Sequence, residues 1–330
     1  MKKIAVLCLA IFLTVTMCSL ASAEPVKMKI SMGDPDSHFN LVMMREMLKP
    51  QIEKESNGQI IVEVYAGGVL GGYRESIEGC QMGSIEMAQV NAAALTGFSK
   101  KFMCVGLPYA FSDKETFYKA YNGKVGEMIF AELPRQGLLG VVYLDNGMRS
   151  VTNNRKPIVK PEDVAGLKIR VLESPINIAT WKLLGANPTP VSYGELYTAL
   201  QQGTVDAQDN SAVIINENKI QQVQKYYSLT KHQSDTDILI MRKSFYDKLS
   251  PELQEVVMKA IKDYCAAQQA RYLEEEEKAM QKLRDDGMEI NELTPEQIQV
   301  WKNAVRPIYD QFRDEIGPEL VDLILSYENQ

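Results

Sequence analysis

Side chains that could catalyse a reaction are few in this sequence. It contains two histidines, His38 and His232, which stand far apart along the chain. It contains no GxSxG, HExxH or P-loop motif, and no His or Cys cluster marks any of its many carboxylate pairs as an acid–base pair. The pattern favours binding over catalysis, so we predict no enzymatic activity, no metal and no cofactor. A secreted α/β enzyme acting on carboxylates is the alternative, and turnover of a carboxylate would support it.

Two asparagines close segments that resemble each other. Residues 79–91 read GCQMGSIEMAQVN, and residues 198–210 read TALQQGTVDAQDN. In both, a helix ends at a glycine, which adopts the left-handed conformation without strain. A Ser or Thr, an aliphatic residue and an acid follow, and the strand closes with Asn91 or Asn210. Because ligands of open α/β sheets bind beyond the carboxyl ends of the strands, we expect both asparagines to face one polar cleft from two lobes.

Strands and helices alternate along the first two thirds of the chain. The predicted strands cover residues 27–31, 59–65, 85–90, 138–144, 166–171 and a start at 204–207. The predicted helices cover residues 38–56, 73–82, 176–184 and 193–202. This alternation predicts βαβ lobes with mainly parallel strands.

A long helix is predicted in the last third. Ser250 and Pro251 supply a helix cap and a proline at the first helical position, and the helical pattern continues to Asp286. This is about 35 residues, or about 50 Å, so we expect the helix to brace both lobes from behind. A further helix is predicted to begin after Thr294.

Residues 1–23 have the pattern of an export signal. Two lysines precede an apolar run over residues 4–17, and small residues end at Ala23. The run is shorter than the ~20 residues of a membrane span, so we predict export and cleavage after Ala23. A retained N-terminal anchor is one alternative. Lipidation at Cys18 is another, although a methionine precedes it where a small residue is required.

Composition excludes some classes of partner. The formal charge is −7, and the loss of two leader lysines would make it more negative, which argues against nucleic-acid or anionic-membrane partners. The length predicts two domains. Cys80, Cys104 and Cys265 are too widely spaced for a zinc site. An oxidising compartment permits a Cys80–Cys104 disulfide, with buried free thiols as the alternative.

Four parts of the sequence resemble one protein family. They are MGDPDSHFN at 32–40, LPYAFSD at 107–113, LSPELQEVV at 249–257, and the most specific part, GLKIRV followed by GANPTPVSYGELYTALQQGTVDAQDN at 166–210. Across nearly the whole chain after residue 23, the sequence resembles the solute-binding subunits of tripartite ATP-independent periplasmic (TRAP) transporters, the DctP family.

The resemblance implies a fold, a location and partners. The fold is α/β, a two-lobed periplasmic-binding-protein-like fold (type II-like), with each lobe a βαβ sheet. Lobe 1 would comprise residues 24–146 and 236–275, and lobe 2 residues 147–235 and 276–330. The protein would be periplasmic, bind a small organic acid, and deliver it to the small and large membrane subunits of the transporter. The binding protein of an ABC-type importer, or of a receptor, is the alternative.

The resemblance also implies ligand-binding residues. Arg170 matches the carboxylate-binding arginine of the family, and a guanidinium pairs with a carboxylate through two parallel hydrogen bonds. An arginine on the solvent face of a strand is the alternative. Arg149 matches a second pocket arginine, Asn210 a pocket asparagine, and Tyr193 an aromatic wall or else a helix-packing residue. Positions that vary with the ligand in this family are Ser37, His38, Tyr73, Asn91, Glu173 and Asp235.

Two of these residues bear on the class of ligand. Glu173 stands three residues after Arg170, at a position expected to face the ligand, and Asp235 is expected to reinforce its charge. Acids there would repel a second carboxylate and suit a hydroxyl or ammonium group. We therefore predict a hydroxy, sugar or amino monocarboxylate rather than a plain C4-dicarboxylate, unless both acids are surface residues. We also expect the lobes to close around the ligand.

Overall fold

The computed structural model describes residues 24–111 and 113–327. The predicted signal segment, with its cleavage site at Ala23 and with Cys18, lies outside these residues. Among the described residues, no helix is long and apolar enough to cross a membrane.

The strands form one mixed sheet. Those in the described residues are β1 (Val26–Met32), β2 (Ile60–Tyr65), β3 (Met87–Asn91), β4 (Leu138–Asn153), β5 (Lys168–Val171), β6 (Asn187–Pro190), β7 (Ala207–Asn210), β8 (Tyr226–Arg242) and β9 (Glu289–Glu292). Their order in the sheet is β2-β1-β3-β8-β4-β7-β5-β6, and β9 pairs with β8. The strands β1, β2 and β3 pair in parallel, as do β5, β6 and β7. The predicted α/β class is confirmed.

Two long strands belong to both halves of the sheet. The strands β4 and β8 have 16 and 17 residues and pair antiparallel. One end of this pair joins β3, β1 and β2, and the other joins β7, β5 and β6. The register shifts between Asp145 and Met148, where Gly147 has a φ of 83° that glycine adopts without strain. The predicted lobe boundaries at 146/147 and 235/236 stay a prediction, since both strands run through them.

The helices cover the faces of the sheet. They are α1 (Phe39–Met43), α2 (Lys49–Glu55), α3 (Tyr73–Met82), α4 (Lys114–Tyr121), α5 (Lys124–Phe130), α6 (Pro175–Leu183), α7 (Leu196–Gln201), α8 (Ala212–Glu217), α9 (Lys243–Tyr246), α10 (Pro251–Asp285), α11 (Pro295–Val305), α12 (Pro307–Ile316) and α13 (Pro318–Tyr327). A π-helical turn at Met44–Leu48 joins α1 to α2, so the helix predicted at 38–56 is irregular at its centre. Short 3-10 turns occur at Ala92–Gly97, Lys100–Gly106, Leu133–Gln136, Pro161–Val164, Tyr193–Glu195 and Ile220–Gln222.

The long helix α10 braces both halves of the sheet, as predicted. The hydroxyl of Tyr264 donates to the carbonyl of Asn40 at 3.1 Å on one side. The side chain of Gln268 exchanges two hydrogen bonds with the backbone of Asp145, at 3.1 and 2.7 Å. The hydroxyl of Tyr272 lies 3.1 Å from Oγ of Ser211 on the other side. The middle of α10 is therefore fixed beside the register shift.

The last two helices lie on the side of the first half of the sheet. Ile308 and Phe312 of α12 belong to the same buried apolar cluster as Phe102 and Phe117. The assignment of residues 276–330 to lobe 2 stays a prediction, since the same cluster also contains Ile176 of α6. The apolar faces of α12 and α13 pack against the 3-10 turns and helices that follow β3.

Cys80, Cys104 and Cys265, the cysteines of the described residues, are buried free thiols in the structure, which corrects the disulfide considered for Cys80 and Cys104. Burial raises the pKa of both thiols to about 12, and that of Cys265 to about 11. Since the thiolate is the reactive form, we expect residues 24–330 to react negligibly with Ellman's reagent at pH 8. In guanidinium chloride, three thiols should react. A single reactive thiol in the denatured protein would instead demonstrate a disulfide.

Candidate ligand-binding site

A nearly closed cavity lies between the two halves of the sheet. It is lined by Tyr73, Asn91, Asn146, Arg149, Arg170, Leu172, Tyr193, Asn210, Ile214 and Asp235. All but Asn146, Leu172 and Ile214 were predicted from the sequence. Its open volume is about 10 Å³, the space that one water molecule needs. The described form is therefore closed, and an organic acid could enter only if the halves separate.

Three polar residues reach the cavity from the carboxyl ends of strands. Asn91 is the last residue of β3, Asn210 is the last of β7, and Arg170 is the last but one of β5. Asn91 also caps the following 3-10 turn, because its Oδ1 accepts from the backbone N–H of Ala93 at 3.1 Å. This bond turns the amide Nδ2 toward Asp235, to which it donates at 2.8 Å.

Arg170 carries a buried and incompletely bonded cation. Its side chain is almost fully buried, and its Nε donates to the carbonyl of Val191 at 2.9 Å. Its Nη1 is buried with no hydrogen-bond partner, and no carboxylate of the described residues forms an ion pair with it. Burial, and next the charge of Arg149, lower the pKa of Arg170 to about 10. The guanidinium thus faces the cavity as an uncompensated positive charge.

Arg149 differs because protein carboxylates already bind it. Its Nε donates to Oδ2 of Asp209 at 2.8 Å, its Nη1 to Oδ2 of Asp235 at 2.7 Å, and its Nη2 to the carbonyl of Asp209. Burial opposes the charge, but both carboxylates raise the pKa of Arg149 above its usual range. His232 Nε2 lies 3.0 Å from Oδ2 of Asp209. Arg149 therefore lines the cavity as part of an internal ion network.

The wall opposite Arg170 is rich in acids and amides. Asp235 accepts from Asn146 Nδ2 at 3.2 Å, and Asp237 accepts from Gln89 Nε2 at 2.8 Å. Burial, with the charges of Asp34 and Asp235, raises the pKa of Asp237 well above its usual range. The Oδ1 of Asn146 is buried without a hydrogen-bond partner. Among the described residues, no group of His, Cys, Asp and Glu side chains is arranged to hold a metal ion.

Two tyrosines from opposite halves close the cavity. The rings of Tyr73 and Tyr193 stack with centroids 5.6 Å apart and planes 11° from parallel. The Tyr193 hydroxyl accepts from Asn218 Nδ2 at 2.7 Å and donates to Asp34 Oδ1 at 3.3 Å. A Cβ added to Gly33 would lie 3.0 Å from the ring of Tyr73. Glycine at position 33 therefore leaves room for the stacked ring of Tyr73.

Three predicted site residues lie outside the cavity. Ser37 is exposed on the surface, and Glu173 is exposed just past the end of β5. The side-chain alternation that places Arg170 does not extend to Glu173, because the strand ends at Val171. The argument from Glu173 against a second carboxylate therefore loses its geometric basis, whereas the buried Asp235 retains it.

His38 is buried but does not face the cavity. Its Nδ1 accepts from the backbone N–H of Asn40 at 3.1 Å and caps α1. Its Nε2 lies 3.1 Å from Oε2 of Glu217, on the other side of the cleft. His38 is not among the residues that line the cavity.

The sequence carried a weak signal for the three residues that were missed. Asn146 precedes Gly147, and an Asn-Gly pair inside an apolar strand indicates an irregularity that redirects a side chain. Leu172 follows the predicted strand end directly. For Ile214, in the apolar run of α8, no signal distinguishes a cavity wall from an ordinary core position.

A larger groove lies beside α10 and α11, with an open volume of about 760 Å³. Its walls include Phe111, Met148, Leu229, Met280 and Ile298. None of the buried, unpartnered polar side-chain atoms in the described residues belongs to its walls. The small cavity, where the unpaired guanidinium lies, is therefore the better candidate for ligand binding.

Comparison with known proteins agrees with this geometry. Residues 31–315 match the sequence model of one family, the bacterial extracellular solute-binding proteins of family 7, DctP. The chain belongs to this family.

Two relatives of this solute-binding family are periplasmic proteins with named ligands. The 2,3-diketo-L-gulonate-binding periplasmic protein YiaO of Escherichia coli K12 is 32% identical over 72% of this chain and 73% of its own. The C4-dicarboxylate-binding periplasmic protein DctP of Rhodobacter capsulatus is 31% identical over 91% of this chain and 90% of its own.

A solved structure of the same family shows the fold. The TRAP periplasmic solute-binding protein of Polaromonas sp. JS666, bound to D-erythronate, has a TM-score of 0.86 and 32% identity. The match covers 91% of this chain and 98% of that one. The chain is thus a TRAP-type solute-binding protein of a family whose members bind small organic acids, and the ABC-importer and receptor interpretations are not favoured.

Proposed function

We propose that this chain is exported, cleaved after Ala23, and captures a hydroxy, sugar or amino monocarboxylate in the periplasm for a TRAP transporter. The unpaired Nη1 of Arg170, buried at the cavity wall, is the observation that carries the proposal. A buried cation without a partner is costly, and a ligand carboxylate supplies the missing partner. The membrane subunits would then receive the ligand unchanged, since no group in the cavity is arranged for catalysis.

The rest of the ligand would carry hydrogen-bond donors. Asn146 Oδ1 is a buried acceptor without a donor, and Asp235 lies beside it as a second acceptor. A hydroxyl or an ammonium group satisfies both acceptors. A second carboxylate would instead meet Asp235, and it would have to displace the amide donors that now bind this side chain.

One arginine is too weak to account for useful affinity. A micromolar ligand requires about 8 kcal/mol, and a hydrogen bond to a charged group contributes roughly 1.5–3 kcal/mol. The remaining affinity has to come from the amides, from contact with the tyrosine pair, and from exclusion of water as the halves close. Closure of the cleft is thus part of binding.

Two matched ligand triads, each made of a sugar monoacid, its polyol and a diacid of equal length, test the proposal. Isothermal calorimetry of residues 24–330 should detect binding of D-erythronate or D-galactonate. The polyols erythritol and galactitol, which lack the carboxylate, should bind at least about 100-fold more weakly, because each loses two charged hydrogen bonds. The diacids succinate and galactarate should also bind more weakly than the sugar acid of equal length. Tighter binding of a diacid than of its monoacid would contradict the proposed ligand class, and 4-aminobutyrate distinguishes ammonium from hydroxyl recognition.

A further inference from the structure

His38 and Glu217 meet across the cleft without lining the ligand cavity. His38 follows β1 and caps α1, whereas Glu217 is the last residue of α8, which follows β7. Nε2 of His38 lies 3.1 Å from Oε2 of Glu217, within ion-pair distance but outside hydrogen-bond directions. Oε1 of Glu217 accepts from the backbone N–H of Phe39 at 3.3 Å. The side chains are 1% and 14% exposed, so both lie largely out of solvent in the described form.

The groups around Glu217 carry charges of both signs, and Lys219, Lys282 and Asp286 line the same surface pocket as Glu217. Asp34 Oδ1 lies 3.9 Å from the same imidazole nitrogen, and Glu275 of α10 adds negative charge from behind. The hydroxyl of Tyr193 lies near Asp34 and Asn218. No lysine or arginine of the described residues forms an ion pair with Glu217. Burial raises the pKa of Glu217, His38 opposes the rise and Asp34 adds to it, and together they bring the pKa to about 7.

We propose that His38 and Glu217 form a proton-dependent latch that sets ligand affinity by stabilising the closed form. This role rests on the proposed function, in which the cleft closes around a ligand. The latch residues act through the position of the two halves and do not touch the ligand.

The direction of the pH effect follows from the cleft geometry. In the closed form the buried Glu217 carboxyl holds a proton near neutral pH, and opening hydrates this group, so that Glu217 loses the proton as its pKa returns to the ordinary range. Closing therefore takes up a proton near neutral pH, which favours the closed form as the pH falls. For a pKa of about 7 in the closed form, the ratio of closed to open protein should be about tenfold higher at pH 6 than at pH 8.

The experiment measures closure without any ligand. Spin labels at Met82→Cys and Leu183→Cys occupy exposed positions on α3 and α6, one on each half, while the native thiols are buried. Double electron–electron resonance distances are recorded at pH values from 6 to 8. The wild-type sequence should show the tenfold change in the ratio of closed to open protein. The variant Glu217→Gln should vary by less than about twofold, because its amide does not titrate, and Glu255→Gln, an exposed acid on α10, should behave like the wild type.

A second variant keeps the test decisive if Glu217→Gln folds poorly. His38→Gln retains an acceptor for the α1 cap but removes the imidazole, so the midpoint of the pH dependence should move to higher pH. If the ratio of closed to open protein does not change with pH in the wild type, the latch proposal is overturned. The same holds if the wild type is open at every pH. If Glu217→Gln keeps the full pH dependence, the latch proposal is also overturned. Proton uptake would then be assigned to Asp237, whose partners Gln89 and Asn91 lie on one half. No ligand is added, so these failures are distinct from failure of the proposed function.

Discussion

Replacing Arg170 by methionine should raise the melting temperature of the ligand-free protein. The described closed structure buries this guanidinium without a carboxylate, which lowers its pKa from the usual range of an arginine to about 10. At 1.36 kcal/mol per pKa unit this corresponds to an unfavourable contribution of about 3 kcal/mol. The cost is fully present at pH 7 and is relieved only above pH 10, where the native state releases the proton. Methionine keeps the length of the side chain without its charge, so we expect an increase of about 5 °C.

Differential scanning calorimetry at pH 7 measures this shift. Arg135→Met, which removes an exposed arginine, is the matched control and should change the melting temperature by less than about 2 °C. A fall in the melting temperature of Arg170→Met would mean that Arg170 stabilises the ligand-free fold. It would then be a structural residue, and the assignment of the carboxylate site would be wrong.

The same substitution at Arg149 should have the opposite effect. Asp209 and Asp235 are buried against this guanidinium, so Arg149→Met leaves two carboxylates without their cation. Loss of one partner from a buried pair costs about 3–5 kcal/mol. We expect the free energy of unfolding at pH 7, measured in denaturant, to fall by that amount.

The pH dependence of stability provides an independent check on Arg149. Burial opposes ionisation of Asp209, but Arg149 and His232 bring its pKa below the usual range. The resulting stabilisation is present above the ordinary pKa of an aspartate, about 3.9, and is lost as the pH falls. The wild type should lose this stability in acid, and Arg149→Met should already lack it at pH 7. Equal stability of the two proteins at pH 7 would show that the network does not stabilise the fold.

Parts of the site that rest on local pattern could be predicted from the sequence. Asn91 and Asn210 close two similar helix–strand segments, and the strands β3 and β7, which run in opposite directions in the sheet, bring both to the cavity. The family resemblance supplied Arg170. Helix α3 was predicted with its observed bounds because Gly72 and Gly83 flank it and its pattern is regular.

Parts that rest on long-range burial could not be predicted. Strand β8 carries the sequence HQSDTD, in which Asp235 and Asp237 look like surface residues by local pattern, and only the family resemblance marked Asp235 as a site residue. They are buried because amides and Arg149 from distant segments bind them, and no local pattern records those partners. The same reason explains why β4 was predicted only to residue 144, although it continues through Asn146 to Asn153. Glu173 was misplaced for the opposite reason, since strand alternation was extended past the end of β5.

Binding calorimetry with Arg170→Met tests the central claim most directly. The ligand is the sugar acid that binds the wild type best among the monoacids of the two triads, and Arg135→Met is the control. Two charged hydrogen bonds of roughly 1.5–3 kcal/mol each correspond to a loss of about 100-fold or more in affinity. The account predicts this loss in Arg170→Met, in a protein that is at least as stable as the wild type, with no loss in Arg135→Met. Retained affinity in a folded Arg170→Met protein would contradict it, because the carboxylate would then be bound elsewhere.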